Sequence, residues 1–365
     1  MTPPDGPRLG QARQPAGAGV VDVGLVVPLS GPAGLFGPSS ELCAQLAAEE
    51  VNAAGGLQGR ELRLIVVDGA GPPARVADEV DLLVSCGAVQ AVVGWHISAV
   101  RQALVPQLAG RVPYIYTALY EGGETAPGVF LTGETPRHQI LPSLQWLARE
   151  FGVRRWGIVG NDYVWPRRSA AAAHAYMHAC GTEVSHEAFV RLGTTDFSRE
   201  IRHLEVSGCD AVLMLLVGSD AVHFNRQFAA SQLDQRCLRL SPLMDENMLL
   251  ATGAENSRGV FTSAGYFDGL DTPDSADFKR RYTARYGPSA PVLNSPGESC
   301  YEGVRLLSEL LVRAGSTSVP AVCRAAAGTR YEGPRGHVAL RNGHVDQTIY
   351  LAQASGLQLE VVSSL

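Results

Sequence analysis

A chain of 365 residues is long enough for two domains, each with its own hydrophobic core. Hydrophobic residues make up 45% of the sequence and charged residues 18%, the balance of an ordinary globular protein. The net charge of −6 provides no basic surface, so we expect no direct nucleic-acid binding and no membrane insertion.

The N-terminal segment from Met1 to Ala18 is rich in Pro, Gly and Ala and contains no apolar run. A secretory signal would need such a run before its cleavage site. The segment therefore predicts a disordered tail over residues 1–19 and a cytoplasmic protein. If a signal peptide originally preceded Met1, the expected location becomes periplasmic or cell-surface.

The first half of the chain alternates strand and helix patterns. A strand at 21–27 ends in turn formers, and Gly37-Pro38 opens a helix that stops at Gly55-Gly56. Further strands are predicted at 62–67, 92–94 and 113–116, and Ser98 is expected to cap the helix after the third strand. This alternation predicts a parallel sheet with helices on both faces.

After Pro136 the same alternation restarts and predicts a second α/β domain. Its strands are expected at 156–159, 184–190, 210–216, 238–241 and 259–266. Near the C-terminus, Asn342-Gly343 is a strong hairpin signal, which we expect to join strands at 336–340 and 348–351.

The stretch from Trp156 to Arg168 predicts a buried strand, an aromatic turn and a helix that begins at Pro166. Ligands of open α/β sheets bind beyond the carboxyl ends of the strands, which would direct Tyr163 and Trp165 into a crevice. The two rings could equally cover the edge of the core, and the residues alone leave both interpretations open.

Two α/β domains in tandem bring the ends of both sheets to a shared cleft. The candidate wall segments are 30–33, 95–98, 118–121, 163–165, 217–219 and 245–247.

Sequence motifs for catalysis and for cofactors are missing. The chain has no phosphate-binding loop. The glycines at 56–59 follow the end of a predicted helix and do not precede one, so they do not form a dinucleotide-binding motif. His174 and His178 lie one helical turn apart but lack a third ligand, so no metal site is predicted. Ser219-Asp220 with His223 is interpreted as a helix start instead of a triad. The seven cysteines are odd in number and scattered, which fits reduced thiols better than a disulfide framework. We predict no enzyme activity, no metal and no cofactor.

Four segments carry a resemblance to a known family: Gly94 to Ser98, Tyr120 to Gly122, Asn161 to Arg167, and Tyr266-Phe267 before Asp271. They resemble type I periplasmic binding proteins. Within these, they are most similar to the branch of the amide-sensing negative regulator of the bacterial aliphatic amidase operon and the urea or short-chain amide transport receptors.

The resemblance implies two doubly wound parallel-sheet lobes of α/β class, joined by a three-strand hinge. The expected N-terminal lobe comprises residues 20–135 plus 265–318, and the C-terminal lobe 136–264 plus 319–365. The three crossings are expected near Thr135, Ala264 and Ser318.

The resemblance also implies the site. Ser98 corresponds to a helix-capping serine that contacts the ligand, and Tyr163 and Trp165 correspond to an aromatic pair. His96 and Trp165 stand where tyrosines are expected, and Ala118 stands where a hydroxyl side chain is expected. The predicted ligand-binding residues are Ser98, His96, Tyr116, Ala118, Leu119, Tyr163, Trp165, Val217 and Asp245.

The predicted ligand is a small neutral amide or urea-like compound, sensed in the cytoplasm and relayed to a transcriptional regulator. The resemblance also allows a homo-oligomer. The alternative is an ABC-transporter substrate-binding protein for branched-chain or other amino acids. An amino-acid ligand would need a carboxylate opposite its ammonium group, for which the candidates are Asp162, Glu121, Asp245 and Glu246.

Overall fold

The computed structural model describes residues 19–365; the predicted tail, up to residue 18, lies outside this part. The strands are β1 (Val20–Val27), β2 (Glu61–Asp68), β3 (Ala91–Gly94), β4 (Tyr114–Tyr116), β5 (Val129–Leu131), β6 (Arg155–Asn161), β7 (Glu183–Val190), β8 (Ala211–Leu215), β9 (Leu238–Ser241), β10 (Val260–Ala264), β11 (Arg330–Gly333), β12 (Gly336–Arg341), β13 (His344–Asp346), β14 (Tyr350–Ser355) and β15 (Gln358–Ser364). The helices are α1 (Gly37–Ala53), α2 (Pro73–Ser85), α3 (Ser98–Leu108), α4 (Pro136–Glu150), α5 (Val164–Ala179), α6 (Ser198–Ser207), α7 (Ser219–Ala230), α8 (Glu246–Thr252), α9 (Pro273–Tyr286), α10 (Ser295–Ala314) and α11 (Val319–Ala326).

The strands form two separate sheets, each at the centre of one α/β lobe. The sheet of lobe 1 has the order β11-β12-β13-β5-β4-β3-β1-β2, and that of lobe 2 has the order β15-β14-β10-β9-β8-β6-β7. Both are mixed, because β11, β12, β14 and β15 add antiparallel edges to parallel centres. The predicted pair of α/β lobes with parallel central strands is confirmed, and the antiparallel edges arise where tight hairpins replace helical crossovers.

The C-terminal segment departs from the predicted division into lobes. Residues 330–346 hydrogen-bond into the sheet of lobe 1 through β13 and β5, although the prediction assigned 319–365 to lobe 2. The third crossing is therefore at 347–349 and not near Ser318. Asn342 and Gly343, both at positive φ, turn β12 onto β13, so the hairpin partner is His344–Asp346.

Continuous apolar strands form the two cores. All five residues of β8 are completely buried, and Trp156 in the neighbouring β6 is the largest fully buried side chain. Burial of a large apolar side chain contributes about 1.5–3 kcal/mol. Because both faces of these central strands are covered by helices, polar residues concentrate at the strand ends, where the two lobes face each other.

Candidate functional site

A small cavity lies between the lobes, beyond the carboxyl ends of β3, β4, β6 and β8. Eight of the nine predicted ligand-binding residues are brought together in its wall; the complete lining is Trp95, His96, Ile97, Ser98, Tyr116, Ala118, Leu119, Tyr163, Trp165, Val217 and Leu243. Three lining residues were not among the predicted ligand-binding residues: Trp95, Ile97 and Leu243. Trp95 and Ile97 lie in the predicted wall segment 95–98, whereas Leu243 carries no distinguishing sequence signal.

A second chamber adjoins the first. The two share Trp95, Leu119 and Leu243. The ninth predicted residue, Asp245, lines this second chamber together with Glu134. Every predicted site residue therefore lies at one of the two chambers, and the acidic side chains are all on the second.

Ser98 presents an unsatisfied hydroxyl at the N-terminus of α3. Its side chain is 1% exposed, and its Oγ makes no hydrogen bond of good geometry within the described part of the chain, although the Tyr116 hydroxyl lies close enough to interact with it. The predicted capping bond does not form, because the residue before the helix, Ile97, is extended and Ser98 is already the first helical residue. A buried hydroxyl beside the free N–H groups of a helix start can hold an anionic or carbonyl oxygen.

Next to Ser98, a chain of buried aromatic side chains fixes the wall of lobe 1. The Tyr116 hydroxyl donates to the His96 carbonyl at 2.8 Å, and the Tyr114 hydroxyl lies 2.9 Å from His96 Nε2. Burial lowers the pKa of His96 to about 3, so its imidazole is neutral at physiological pH. His96 therefore contributes shape and hydrogen bonding to the wall, without positive charge.

Glu121 is paired inside lobe 1. Arg101 contacts Glu121 at 2.6 Å and Glu124 at 2.5 Å, and the Arg101 side chain is only 3% exposed. The negative charge of Glu121 is thus compensated by Arg101, and Glu121 does not line either chamber. Asp162 is half-exposed and pairs with Arg167 at 2.8 Å. Each of these two carboxylates therefore already has a cation as its partner.

Lobe 2 contributes Tyr163 and Trp165, whose ring centroids are 6.3 Å apart. The helix begins at Val164, two residues before the predicted start, so Trp165 lies in the first helical turn and not in an extended loop. Pro166 is tolerated there because the first N–H groups of a helix have no intrahelical acceptor. Both rings face the cavity, which favours a site over simple covering of the core edge.

Two buried polar residues hold the lobe 2 loops together. Asn161 Oδ1 accepts from Val217 N at 2.9 Å, and Asn161 Nδ2 donates to Asp220 at 2.7 Å. Asp220 also accepts from Gly193 N at 2.8 Å. The loops after β6, β7 and β8 are therefore fixed relative to each other, which holds Tyr163 and Val217 at the cavity.

Asp245 is the acidic residue that bridges the lobes at the cleft. Its side chain caps α8 by accepting from Met248 N at 2.8 Å, and it accepts from Asn294 Nδ2 of lobe 1 at 2.5 Å. Burial raises the pKa of Asp245 to about 7, although both hydrogen bonds oppose the shift. No arginine or lysine in residues 19–365 compensates its charge. The fourth acidic candidate, Glu246, accepts from Asp268 N at 2.7 Å and lines neither chamber.

Comparison with known proteins identifies the architecture around this cleft. The family described as Periplasmic binding protein matches residues 20–358. The chain belongs to the periplasmic binding protein family. It is 27% identical over 354 residues to a Leu/Ile/Val-binding protein homolog 6 of Brucella melitensis, covering 94% of this chain and 90% of that one.

Solved structures of binding proteins share the fold. One is a branched-chain amino acid transporter substrate-binding protein of Streptococcus pneumoniae in complex with isoleucine, with a TM-score of 0.83, 19% identity, and coverage of 95% of this chain and 100% of that chain. Another is a solute-binding protein of an ABC transporter from R. palustris in complex with 4-hydroxybenzoate, with a TM-score of 0.83, 20% identity, and coverage of 95% and 96%.

The lobes of this binding protein are in contact across the cleft. Gly218 of lobe 2 packs against the backbone of Pro32 in lobe 1 so closely that a Cβ atom on Gly218 would lie 1.9 Å from the Pro32 carbonyl oxygen. Together with the Asn294–Asp245 hydrogen bond, this contact defines a closed arrangement of the binding protein.

A buried ion cluster joins the three crossings of the binding protein. Arg335 Nε lies 2.8 Å from Glu298, and its Nη atoms lie 3.2 Å from Glu302 and 3.6 Å from Glu134. Glu134, in the first crossing, accepts from the backbone N of Gly265 in the second at 2.7 Å. Gln347 connects the third crossing to this cluster. Its side chain contacts Arg335, and its Nε2 donates to the Thr132 carbonyl of the first crossing at 3.2 Å. The guanidinium thus holds the hinge segments together.

Within residues 19–365, no helix is long and apolar enough to span a bilayer. The same part of the chain contains no cluster of three His, Cys, Asp or Glu side chains arranged to hold a metal ion.

Proposed function

We propose that the chain is a solute-binding protein that presents a small apolar amino acid to an ABC transporter. The observation that carries this proposal is a pair of incompletely satisfied groups at the same cleft. Ser98 Oγ is buried without a hydrogen bond of good geometry, and Asp245 is a buried carboxylate without a compensating cation among the described residues.

The two groups match the two charges of an amino acid. The N-terminus of α3 and Ser98 suit a carboxylate, because helix N–H groups and the dipole both favour negative charge. Asp245 suits an ammonium group, which would compensate the charge that burial makes costly. Apolar contact would come from Leu119, Trp165 and Val217, which line the first chamber. The Leu/Ile/Val-binding homologs among the relatives are consistent with such a ligand.

The neutral amide ligand has less support. An amide would hydrogen-bond to Ser98 but would leave the charge of Asp245 uncompensated. The names of the relatives given above mention amino acids and a benzoate, and none mentions an amide or urea. A sensor role, a regulatory partner and self-association remain predictions without support from these relatives.

An aromatic carboxylate is the second candidate, because acidic side chains are missing from the described lining of the chamber that contains Ser98. That chamber is instead bounded by Trp95, Tyr116, Tyr163 and Trp165. A benzoate-like ring would fit such walls through stacking and would place its carboxylate at Ser98 without requiring Asp245.

Calorimetry distinguishes these ligands. The protein is first unfolded and refolded to remove any co-purified compound, and is then titrated with leucine, isoleucine, valine, 4-hydroxybenzoate, acetamide and urea. An amino-acid receptor should bind at least one of the first three and lose that binding in Asp245→Asn. This variant removes the charge and keeps an Oδ1 acceptor for Met248 N, but its Nδ2 faces the Nδ2 donor of Asn294, so the interlobe hydrogen bond is lost together with the charge. Preference for acetamide or urea over every amino acid would refute the proposal.

The proposed location is periplasmic or cell-surface, with the membrane permease of a transporter as the partner. Family membership supports this location. The cytoplasmic prediction rested on the segment up to residue 18, which lies outside the described residues. Ligand binding without turnover is part of the proposal. Mass spectrometry of ligand recovered after prolonged incubation tests it, and chemically altered ligand would contradict it.

A further inference from the structure

Two cysteines of lobe 2 lie side by side just before the central strands β8 and β9 begin, at the end of the sheet that is remote from the cleft. Cys209 precedes β8 and Cys237 directly precedes β9, and their Sγ atoms are 3.6 Å apart. Both side chains are buried, with 4% and 1% exposure. We propose that Cys209 and Cys237 are a redox-active dithiol that closes to a disulfide and reopens on reduction.

The backbone geometry suits such a bond. β8 and β9 are parallel, with Ala211 opposite Leu238, and Leu238 N donates to Asp210 O at 2.9 Å. Continued outward, this register puts Cys237 beside Asp210, so the two cysteines are diagonal neighbours offset by one residue. A strand spacing of about 4.8 Å and an offset of about 3.3 Å give a Cα separation of roughly 6 Å, within the range that disulfides span. Small side-chain rotations can therefore close the gap between the sulfurs without moving the strands.

The remaining cysteines form no comparable pair in the described structure. Cys86 and Cys323 are exposed on different elements, and Cys180 is partly exposed. Cys43 and Cys300 are buried near each other in lobe 1, but no sulfur–sulfur contact joins them there. They serve as an internal control, because oxidation through general unfolding would involve all of the buried thiols.

A metal does not account for the pair. Two thiolates alone do not complete a structural zinc site, which takes four ligands. Residues 19–365 place no third histidine, cysteine or carboxylate in position to complete a site. Reversible conversion between a dithiol and a disulfide therefore explains the short distance between the two sulfurs better than a metal site does.

The surroundings distinguish the two sulfurs. The hydrogen bond from Cys237 lowers the pKa of Cys209, because it stabilises the Cys209 thiolate, and the same interaction raises the pKa of Cys237. Cys209 is therefore the thiol of the pair that ionises more readily. Cys237 lines a surface groove with Arg236 and Arg258, which provides the approach for an oxidant.

The oxidant is a disulfide compound, either a small molecule or a protein thiol oxidant. The thiolate of one of the two cysteines attacks one sulfur of that disulfide, forms a mixed disulfide and displaces the first thiolate. The second cysteine then loses its proton and attacks the Sγ of the first, which breaks the mixed disulfide and displaces the second thiolate. The protein loses two electrons and two protons in total, and the oxidant is reduced to two thiols.

The bond would join the starts of two strands whose other ends carry cleft loops. β8 leads to Val217 and Gly218, and β9 leads to Leu243 and Asp245. Closing the disulfide should stiffen this part of lobe 2 and restrain its unfolded state.

The test uses the full chain with Cys86→Ser and Cys323→Ser, which removes the exposed thiols and leaves five of the seven cysteines. The folded protein is incubated with oxidised glutathione, then denatured and alkylated. The expected product is lighter by about 2 Da before alkylation and retains three reactive thiols. Peptide mapping should show a Cys209–Cys237 cross-link, and dithiothreitol should restore five reactive thiols.

A third substitution, made at either cysteine, identifies the attacking sulfur. Cys237→Ser or Cys209→Ser should stop the reaction at a mixed disulfide between glutathione and the cysteine that remains, and the attacking cysteine is the one that forms it faster. Mapping the unsubstituted chain gives the same cross-link information if the serine variants fold poorly. Five reactive thiols after equilibration of the folded protein with a strongly oxidising glutathione buffer would overturn the proposal, as would a cross-link between Cys43 and Cys300 in its place.

Discussion

Gly218→Ala tests whether the closed arrangement is the form that holds ligand. Gly218 has a φ of +51° and a ψ of −117°, a conformation that favours glycine. An added Cβ would lie 1.9 Å from the Pro32 carbonyl oxygen of the opposite lobe. The substitution therefore has two effects, local backbone strain in either form and a steric clash that exists only when the lobes are closed.

The clash sets the size of the effect on binding. Nonbonded carbon and oxygen atoms need more than 3 Å, so the lobes must separate by about 1 Å or the backbone must shift, which costs about 1–3 kcal/mol. This cost falls on the closed form alone, and ligand affinity falls with the population of that form. We expect affinity to decrease by about 5- to 150-fold.

Gly181→Ala separates strain from clash. Gly181 also has positive φ, at +67°, but an added Cβ there meets no atom within 4 Å. Calorimetry with the best ligand of the panel should show weakened binding for Gly218→Ala and parental binding for Gly181→Ala, while small-angle scattering should show a more open Gly218→Ala protein. Equal affinity of Gly218→Ala and the parent would refute the assignment of this contact to the ligand-bound form.

Three further predictions concern the cleft and the hinge. Ser98→Ala should remove one hydrogen bond to the bound ligand and weaken binding by about 1–3 kcal/mol in calorimetry, with unchanged unfolding. Affinity for an amino acid should rise with pH through the pKa of Asp245 in the ligand-free protein, which is about 7 in the closed arrangement, because Asp245 must ionise to pair with an ammonium group; Asp245→Asn should abolish this dependence. A carboxylate ligand without an ammonium group should show no such rise. Arg335→Met should lower the free energy of unfolding by about 3–5 kcal/mol in urea, because three buried carboxylates lose their cation. The matched control, Arg149→Met at an exposed pair with Glu150, should leave stability unchanged.

The arrangement of the fold was predictable wherever local pattern and parallel topology agree. The βα alternation from Val20 to Ala264 predicts both lobes, because every strand in this range except β4, which leads directly to β5, is followed by a helix. The segment 330–346 was assigned to the wrong lobe. Its short antiparallel strands could pair with either sheet edge, and the choice depends on the contact between β13 and β5, which no local pattern encodes.

The cleft lining was more accessible to prediction than its electrostatics. Loops after parallel strands must meet at one edge, so Ser98, Tyr163 and Val217 could be grouped from their positions alone. Which carboxylate remains uncompensated could not be deduced in this way. Glu121 is neutralised by Arg101, a partner on the preceding helix, and only the packed structure distinguishes it from Asp245.

Asp245 links the ligand to closure, because one carboxylate serves three purposes. It caps α8 in lobe 2, accepts from Asn294 in lobe 1 and borders the second chamber. In an open cleft the carboxylate would be hydrated and ionised, whereas closure without a cation buries its charge and raises its pKa to about 7. An ammonium group in the chamber would compensate that charge at the moment of closure. A ligand shifts the equilibrium from the open to the closed form only if it binds the closed form more tightly. An ammonium group beside Asp245 would provide that difference in affinity.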